Sequence, residues 1–400
     1  MEKKIITIAG EPSGDLQVGL LISRLKELDN SIKVFSVGGE FSRRAGSEII
    51  QEIKDLSVLG LFDVLKKLGK FKELMRLVLD KIEEIKPEAI ILVDFSGFNL
   101  RLAKKINPVR NYRATRKEKE VSNGVNKRIK VIYYISPQVW ASRPGRIKTI
   151  KKFIDKMIVI FAFEQDFYKR FGIDAEFVGH PLLDIVQPTL KKEAALIEFG
   201  LKESACVFAL LPGSRISEIK NILPIMLETA KLIKEKLPEA QFIISRIESI
   251  DNNIYTNIVR ASRIDAKIIA GKQYDCLNTA DFVLAASGTA TLETAMMQKP
   301  NVVIYKMGLL NYLLYRPLVT VPFIGMENIV AGKQLAPEFI QFQAKPKLIA
   351  EKILEIFQDK KGLAQLQEDF LELRKKLGPS QAPLRAAKSI LALINSRNNG

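Results

Sequence analysis

Short apolar runs rich in β-branched residues alternate with helical patterns along the whole chain, in two successive sets. The first set is Ile5–Ala9, Ile32–Val37, Ala89–Val93, Lys130–Ile135 and Lys156–Ile160. The second is Cys206–Leu211, Gln241–Ser245, Ala266–Ile269, Phe282–Ala285 and Asn301–Ile304. A run that is apolar at every position, not every second one, suits a strand buried on both faces, as in a parallel sheet. Parallel neighbours need long crossovers, and the intervening helical patterns supply them. Each set fills one doubly wound sheet, so the 400 residues predict an α/β protein of two Rossmann-like domains in tandem. "GHPLLDIVQPT" (Gly179–Thr189), with two prolines after the last strand of the first set, marks the join. The domains are expected over 1–185 and 186–375, followed by a terminal helical segment over 376–400.

Composition narrows the setting. At 47% hydrophobic and 27% charged the chain is an ordinary folded one, but its net charge of +17 fits nucleic acid, an anionic membrane surface or a polyanionic substrate. Cys206 and Cys276 give neither a disulfide framework nor a metal spacing. The leading "MEKKIITIAGEP" is too short in apolar length for a signal peptide. The run Met307–Met326 is interrupted by Asn311, Arg316, Pro317 and Pro322. A cytoplasmic protein is expected. The stretch Asn107–Arg128, with seven Lys/Arg and two Glu and little periodicity, reads as a solvated insertion. Basic residues are dispersed, and that insertion holds one aromatic, Tyr112, so a stacking platform for nucleic acid is disfavoured.

Chemistry-bearing residues gather where strands end. "IAGEPSGD" brings Gly10, Ser13, Gly14 and Asp15 to the first strand–helix junction, as a structural turn or as a place where substrate meets backbone N–H groups. It is not GxGxxG, so a dinucleotide is not indicated. Asp94 follows Ala89–Val93 directly and is either a helix cap or a general base. In "YYISPQVWASRPGR" the sole tryptophan, Trp140, stands in a polar, proline-bounded loop; with Gln138 and Arg143 it lines a cleft or fills core. His180, the sole histidine, is a packed hinge residue or a ligand contact. In the second half, "LLPGSR" presents Gly213, Ser214 and Arg215 ahead of a helix, a turn suited to an anion. "AASGTATLE" repeats the arrangement with Ser287, Gly288 and Thr289, and Glu293 one turn on suits a ribose diol. Two such junctions and an acid point to a nucleoside diphosphate. GxxxxGK[ST] does not occur, and no cluster has metal-ligand spacing. In Ser57–Ile82, Leu61, Phe62, Leu65, Leu68 and Phe71 recur at helical spacing among lysines, as a core-facing stripe or a lipid-facing one.

Taken in order, "AGEPSGD", "VGGEFSRRAG", "LSVLGLFDVLKKL", "VDFSGFNLRLAKK", "YYISPQVWASRPGRIKTI", "FVGHPLLD", "LLPGSRISEI", "AASGTATLE" and "ENIVAGKQLAPEFIQ" resemble the lipid-A-disaccharide synthase family, collinearly from residue 9 to about 341. The resemblance implies an inverting glycosyltransferase of GT-B fold, with two Rossmann-like domains facing each other across a cleft. Its substrates would be UDP-2,3-diacylglucosamine and 2,3-diacylglucosamine 1-phosphate, its products lipid A disaccharide 1-phosphate and UDP, with no cofactor or metal. It implies an acceptor side in the first domain and a UDP side in the second. Asp94 would be the base, Arg215, Glu293 and Asn328 would lie at the nucleotide, and 376–400 would return to the first domain. A peripheral place on the anionic inner-membrane surface would follow, with the Ser57–Ile82 helix meeting lipid. The chain departs from the common pattern at Gly97, where a second acid is frequent, at Ser142, where tryptophan is, and at Glu327, where proline is; the last reads as a negative charge near the nucleotide. Rival readings are another GT-B enzyme such as a UDP-N-acetylglucosamine 2-epimerase, or a non-catalytic basic membrane or nucleic-acid-binding protein. An epimerase would want several carboxylates and a histidine about the sugar.

Overall fold

A computed structural model describes residues 2–54, 64–106, 129–142, 144–309, 312, 313, 316 and 321–396, side chains at 64–68 and 144 excepted. The chain forms two compact units, one of Met1–Asp184 with Leu377–Gly400 and one of Ile185–Lys376. The insertion 107–128 lies outside the described residues.

Unit 1 holds a seven-stranded parallel sheet of β1 (Lys3–Ile8), β2 (Ile32–Gly38), β3 (Glu48–Glu52), β4 (Ala89–Val93), β5 (Lys130–Tyr134), β6 (Lys156–Val159) and β7 (Ala175–Phe177), in the order β3-β2-β1-β4-β5-β6-β7. Alternate residues serve opposite faces. Ile6, Ile8, Ile90 and Leu92 meet the helix Val64–Ile85 through Leu74, Val78 and Ile82. Ile5, Ile91, Val93 and Tyr134 meet the helix Pro12–Leu28 and the final helix Ala382–Asn395, through Leu21, Ile22, Ala386 and Ile390. The last helix therefore shares the covering of one face with Pro12–Leu28. Its return is clasped at two glycines. A Cβ on Gly179 (φ 84°) would lie 2.4 Å from the Pro379 carbonyl, and one on Gly378 (φ 81°) 2.6 Å from the Phe177 ring. His180 N–H donates to the Leu377 carbonyl at 2.9 Å.

Unit 2 holds a six-stranded parallel sheet of β8 (Val207–Leu211), β9 (Gln241–Arg246), β10 (Lys267–Ala270), β11 (Phe282–Ala286), β12 (Asn301–Tyr305) and β13 (Glu338–Ile340), in the order β10-β9-β8-β11-β12-β13. Phe208, Leu210, Leu284 and Ile304 pack on the helices Ile216–Lys236 and Pro346–Gln358. Val207, Ala209, Val283 and Ala285 pack on Lys192–Glu198 and Gln273–Thr279. Both sheets reverse strand order once, between β1 and β4 and between β8 and β11. Such a switch point is where the loops splay and a ligand finds room at the carboxyl ends of the strands.

Candidate active site

At the first switch point the loops after β1 and β4 touch. Asp94 is exposed, and both it (φ 44°) and Phe95 (φ 41°) are left-handed, a conformation costing about 1–2 kcal/mol per non-glycine residue. The neighbours that hold it there are buried. Asn99 Nδ2 donates to the carbonyls of Asp94 (2.9 Å), Val93 (3.1 Å) and Ile8 (3.4 Å), and Tyr133 Oη donates to the Asp94 carbonyl. Burial pushes the Tyr133 phenol well up, and the Asp94 charge adds to this. The helix over 96–106 is opened by the Phe95 carbonyl, which accepts from Phe98 and Asn99 N–H. The Phe95 ring lies on Gly10, where a Cβ would stand 2.3 Å from it, and stacks on Phe98 at 5.3 Å. Arg146, which the sequence reading passed over, donates to Ser96 Oγ at 2.7 Å on the same loop.

The remaining acceptor-side residues divide. Ser13 stands exposed in the first turn of Pro12–Leu28, and Gly14 is buried beneath it. Asp15, read with this junction as part of a structural turn or of a substrate-facing one, is 1% exposed and takes the structural part. It accepts from the amides of Gly39 (2.7 Å), Phe41 (3.0 Å) and Ser42 (3.3 Å), and from the Ser42 hydroxyl. It is the anion at the start of the helix Glu40–Arg44, a scaffold for "VGGEFSRR". His180 is likewise internal: its Nδ1 accepts from Leu182 N–H at 3.2 Å, its ring lies on Phe161, and burial pushes its pKa down to about 3. Gln138 is exposed, and Trp140 is half-buried with its indole N–H on Glu164 at 3.0 Å. Arg143, Leu61 and Phe62 lie outside the described residues, as do the side chains of Leu65 and Leu68. Phe71 is 36% exposed and its ring packs at 5.7 Å on Phe95 and 6.1 Å on Phe98, so it braces the Asp94 loop as well as facing solvent.

The second switch point brings Gly213–Arg215, after β8, beside Ser287–Thr289, after β11. Gly213 has φ 109°, and a Cβ there would stand 2.5 Å from the Glu218 carboxylate. That carboxylate is the anion now on the turn: Oε2 accepts from Ser214 N–H (3.0 Å) and Arg215 N–H (3.3 Å), Oε1 from the Arg215 guanidinium (3.3 Å). These amides, read from the sequence as a cradle for a diphosphate, are thus engaged by the chain itself. Tyr305, at the open end of β12, feels the charges of both Glu218 and Arg215. Gly288 and Thr289 are exposed at the start of the helix Thr289–Met296, and Ser287 Oγ donates to the Ile324 carbonyl at 2.9 Å. Glu293 is 8% exposed, accepting from Tyr274 Oη (2.9 Å) and Gln273 Nε2 (2.5 Å), and burial raises its pKa.

Two expectations fail in the "ENIVAGKQLAPEFIQ" segment. Asn328, expected at the nucleotide, is fully buried and makes four internal hydrogen bonds: Nδ2 to the Ala336 carbonyl and Glu338 Oε1, Oδ1 from the amides of Leu335 and Ala336. With its hydrogen-bonding capacity used, it shapes the loop before β13 and presents nothing to a ligand. Glu327 places no charge at the surface. It is fully buried, accepts from Asn301 Nδ2 at 3.1 Å, and burial raises its pKa. Among the described residues no group of three or more His, Cys, Asp or Glu is arranged to hold a metal ion. No described helix is long and apolar enough to cross a membrane.

Two parallel α/β units, each with glycine turns at its switch point, are the units of the GT-B fold. Solved structures agree on the fold. S. aureus MnaA with UDP superposes with a TM-score of 0.65 at 12% identity, covering 98% of this chain and 97% of that one. The UDP-GlcNAc 2-epimerase of Neisseria meningitidis gives 0.58 at 11%, covering 97% and 100%. The sequence is more specific. The family model described as lipid-A-disaccharide synthetase matches residues 5–391. Lipid-A-disaccharide synthases of Syntrophus aciditrophicus and Geobacter sulfurreducens are 40% and 36% identical, each over 98% of both chains. The chain belongs to the lipid-A-disaccharide synthase family and is a glycosyltransferase of lipid A biosynthesis.

Proposed function

We propose that the chain transfers the sugar of UDP-2,3-diacylglucosamine to the 6-hydroxyl of 2,3-diacylglucosamine 1-phosphate, with Asp94 as the base. One observation carries this assignment: an exposed carboxylate on two consecutive left-handed residues, beside a glycine turn at a switch point. Strain of that kind persists where the surroundings impose it, and Asn99 and Tyr133 do so here. The Asp94 carboxylate takes the hydroxyl proton as the oxygen attacks the anomeric carbon. The carbon–oxygen bond to the diphosphate breaks with its electron pair, and UDP departs with inversion.

Unit 2 is the UDP side in this reading. The diphosphate meets the N-terminus of Ile216–Lys236 and the guanidinium of Arg215, which gives up Glu218 for the stronger anion. Glu293 spends one hydrogen bond per oxygen on Tyr274 and Gln273, leaving lone pairs for a ribose diol. The arginine and the helix end supply the charge stabilisation, so the mechanism asks for no metal ion. The excess of positive charge, together with lipid-linked substrates, supports attachment to the anionic inner-membrane surface.

The test is UDP release by the purified protein in detergent, with the donor alone and with both substrates, and UDP-N-acetylglucosamine as control. Asp94→Asn should lower turnover by about 10²–10⁴-fold while leaving UDP affinity unchanged. Full turnover in that variant, or release independent of acceptor, would sink the assignment.

A further inference from the structure

Strand β5 runs into the loop 135–142, and its neighbour β6 runs into Ile160 and Phe161. Between these two loops stands Glu164, 2% exposed, in the first turn of the helix Ala162–Lys169. Its Oε2 accepts from the amides of Ile160 (3.3 Å) and Phe161 (3.2 Å), an ordinary helix-start arrangement. Its Oε1 faces the other way and accepts from the Trp140 indole at 3.0 Å. Capping requires the first oxygen alone. The second ties one strand-end loop to the next.

We propose that Glu164 is a positioning residue for the acceptor: its Oε1 fixes Trp140, and a proton taken up there releases the tryptophan. This rests on reading unit 1 as the acceptor side. The strand order β4-β5-β6 puts the Trp140 loop next to that of Asp94. The two are also joined underneath. Ser136, in the Trp140 loop, is hydrogen-bonded at 2.6 Å to Tyr168, one turn beyond Glu164, and Tyr133 on β5 donates to the Asp94 carbonyl. The choice of oxygen follows from the donors. Two amides hold Oε2, so a proton goes to Oε1, where it turns a good acceptor for the indole into a poor one.

Burial raises Glu164 to about 7, against the pull of Trp140, the Phe161 and Ile160 amides and the Ser136 hydroxyl. Three titratable groups near this corner, among the described residues, stay neutral there. Tyr168 on its own helix and Tyr133 on β5 are pushed up by burial, and His180, against Phe161, is pushed down to about 3.

Trp140 is the only tryptophan, so indole emission reports the surroundings of this side chain without labelling. Emission of the wild-type chain should titrate with a midpoint of about 7. In Glu164→Gln the amide oxygen keeps the two backbone donors and the NH₂ faces the indole, so emission should stay at the acid-form position at every pH. The KM for the acceptor should rise about tenfold with UDP affinity unchanged, the size expected for a lost hydrogen bond to a charged group. Trp140→Phe should raise the same KM, and Glu164→Gln should add little on top of it. Flat wild-type emission between about pH 5.5 and 8.5, or an unchanged acceptor KM in Glu164→Gln, would overturn the proposal. The emission titration needs no substrate and no variant, so it decides the tie even if Glu164→Gln does not fold. Absence of acceptor-dependent UDP release from the wild type would instead count against the assigned reaction.

Discussion

Gly10→Ala tests whether the glycine turn and the base form one unit. The added Cβ would stand 2.3, 2.4 and 2.5 Å from three ring atoms of Phe95. Carbon atoms rest at about 3.5–4.0 Å, so the ring must retreat by roughly 1.2–1.7 Å. It has little room: Phe98 stacks on it at 5.3 Å and Phe71 lies at 5.7 Å. The residue is also held in a left-handed backbone next to Asp94, so displacement reaches the carboxylate. Overpacking of this kind costs about 1–3 kcal/mol. A base moved by an ångström costs on the order of 10²-fold in rate. Urea unfolding and acceptor-dependent UDP release would be measured on the same preparation, with UDP affinity as control. Adding Phe95→Leu should recover part of both losses, because the two sites share one clash. The reasoning is refuted if Gly10→Ala keeps stability within about 0.5 kcal/mol and rate within about twofold.

Two further outcomes follow from buried groups. Asn328→Ala abandons two N–H donors and two acceptors inside unit 2, so a loss of about 3–5 kcal/mol is expected in denaturant unfolding, with UDP affinity of the folded protein nearly unchanged; a stable variant with weak UDP binding would return Asn328 to the nucleotide. Stability against pH should show two opposed slopes in unit 1. His180, folded at about 3 against 6.5 unfolded, stabilises above about pH 6.5 and loses about 1.4 kcal/mol per unit as pH falls below it; Glu164, folded at about 7 against 4.5, stabilises at low pH and loses a similar amount per unit as pH rises from 4.5 to 7. Between pH 4.5 and 6.5 they cancel in the wild type, so Glu164→Gln should lose stability on acidification and His180→Gln gain it, and parallel curves would refute both.

The buried centre of each sheet was legible because a strand covered on both faces leaves a continuous apolar run, as in "AIILV" of β4 and "FVLAA" of β11. The edges were not. β3 reads "EIIQE", and β7 and β13 are three residues each with no fully apolar stretch, since an edge strand keeps one flank in water. The positions of the site loops followed from the centre, because the loops that matter end β1, β4, β8 and β11.

What each polar side chain does at those loops was a harder question, and the misreadings share a cause. Asp15, Asn328 and Glu327 are polar residues near strand ends or helix starts, where a ligand contact and an internal scaffold use the same chemistry. The partners that decide the matter come from elsewhere in the chain. Asp15 is claimed by amides 24–27 residues later, and Asn328 by a loop eight residues on. Glu164 was missed for a related reason. It sits at the third position of its helix, but the capping residue is Phe161, so the Ser/Thr-x-x-Glu signature is lacking, and its second partner, Trp140, belongs to a different strand end. The two units use one device. Asn99 in unit 1 and Asn328 in unit 2 are buried amides that hydrogen-bond to loop backbone, Asn99 through its Nδ2 and Asn328 through both ends. Asp94, Ser13, Gly288 and Thr289 stand exposed at the open ends. A ligand-facing group and its support are therefore both written as polar residues a few positions apart, and only the donors already spent on each tell them apart.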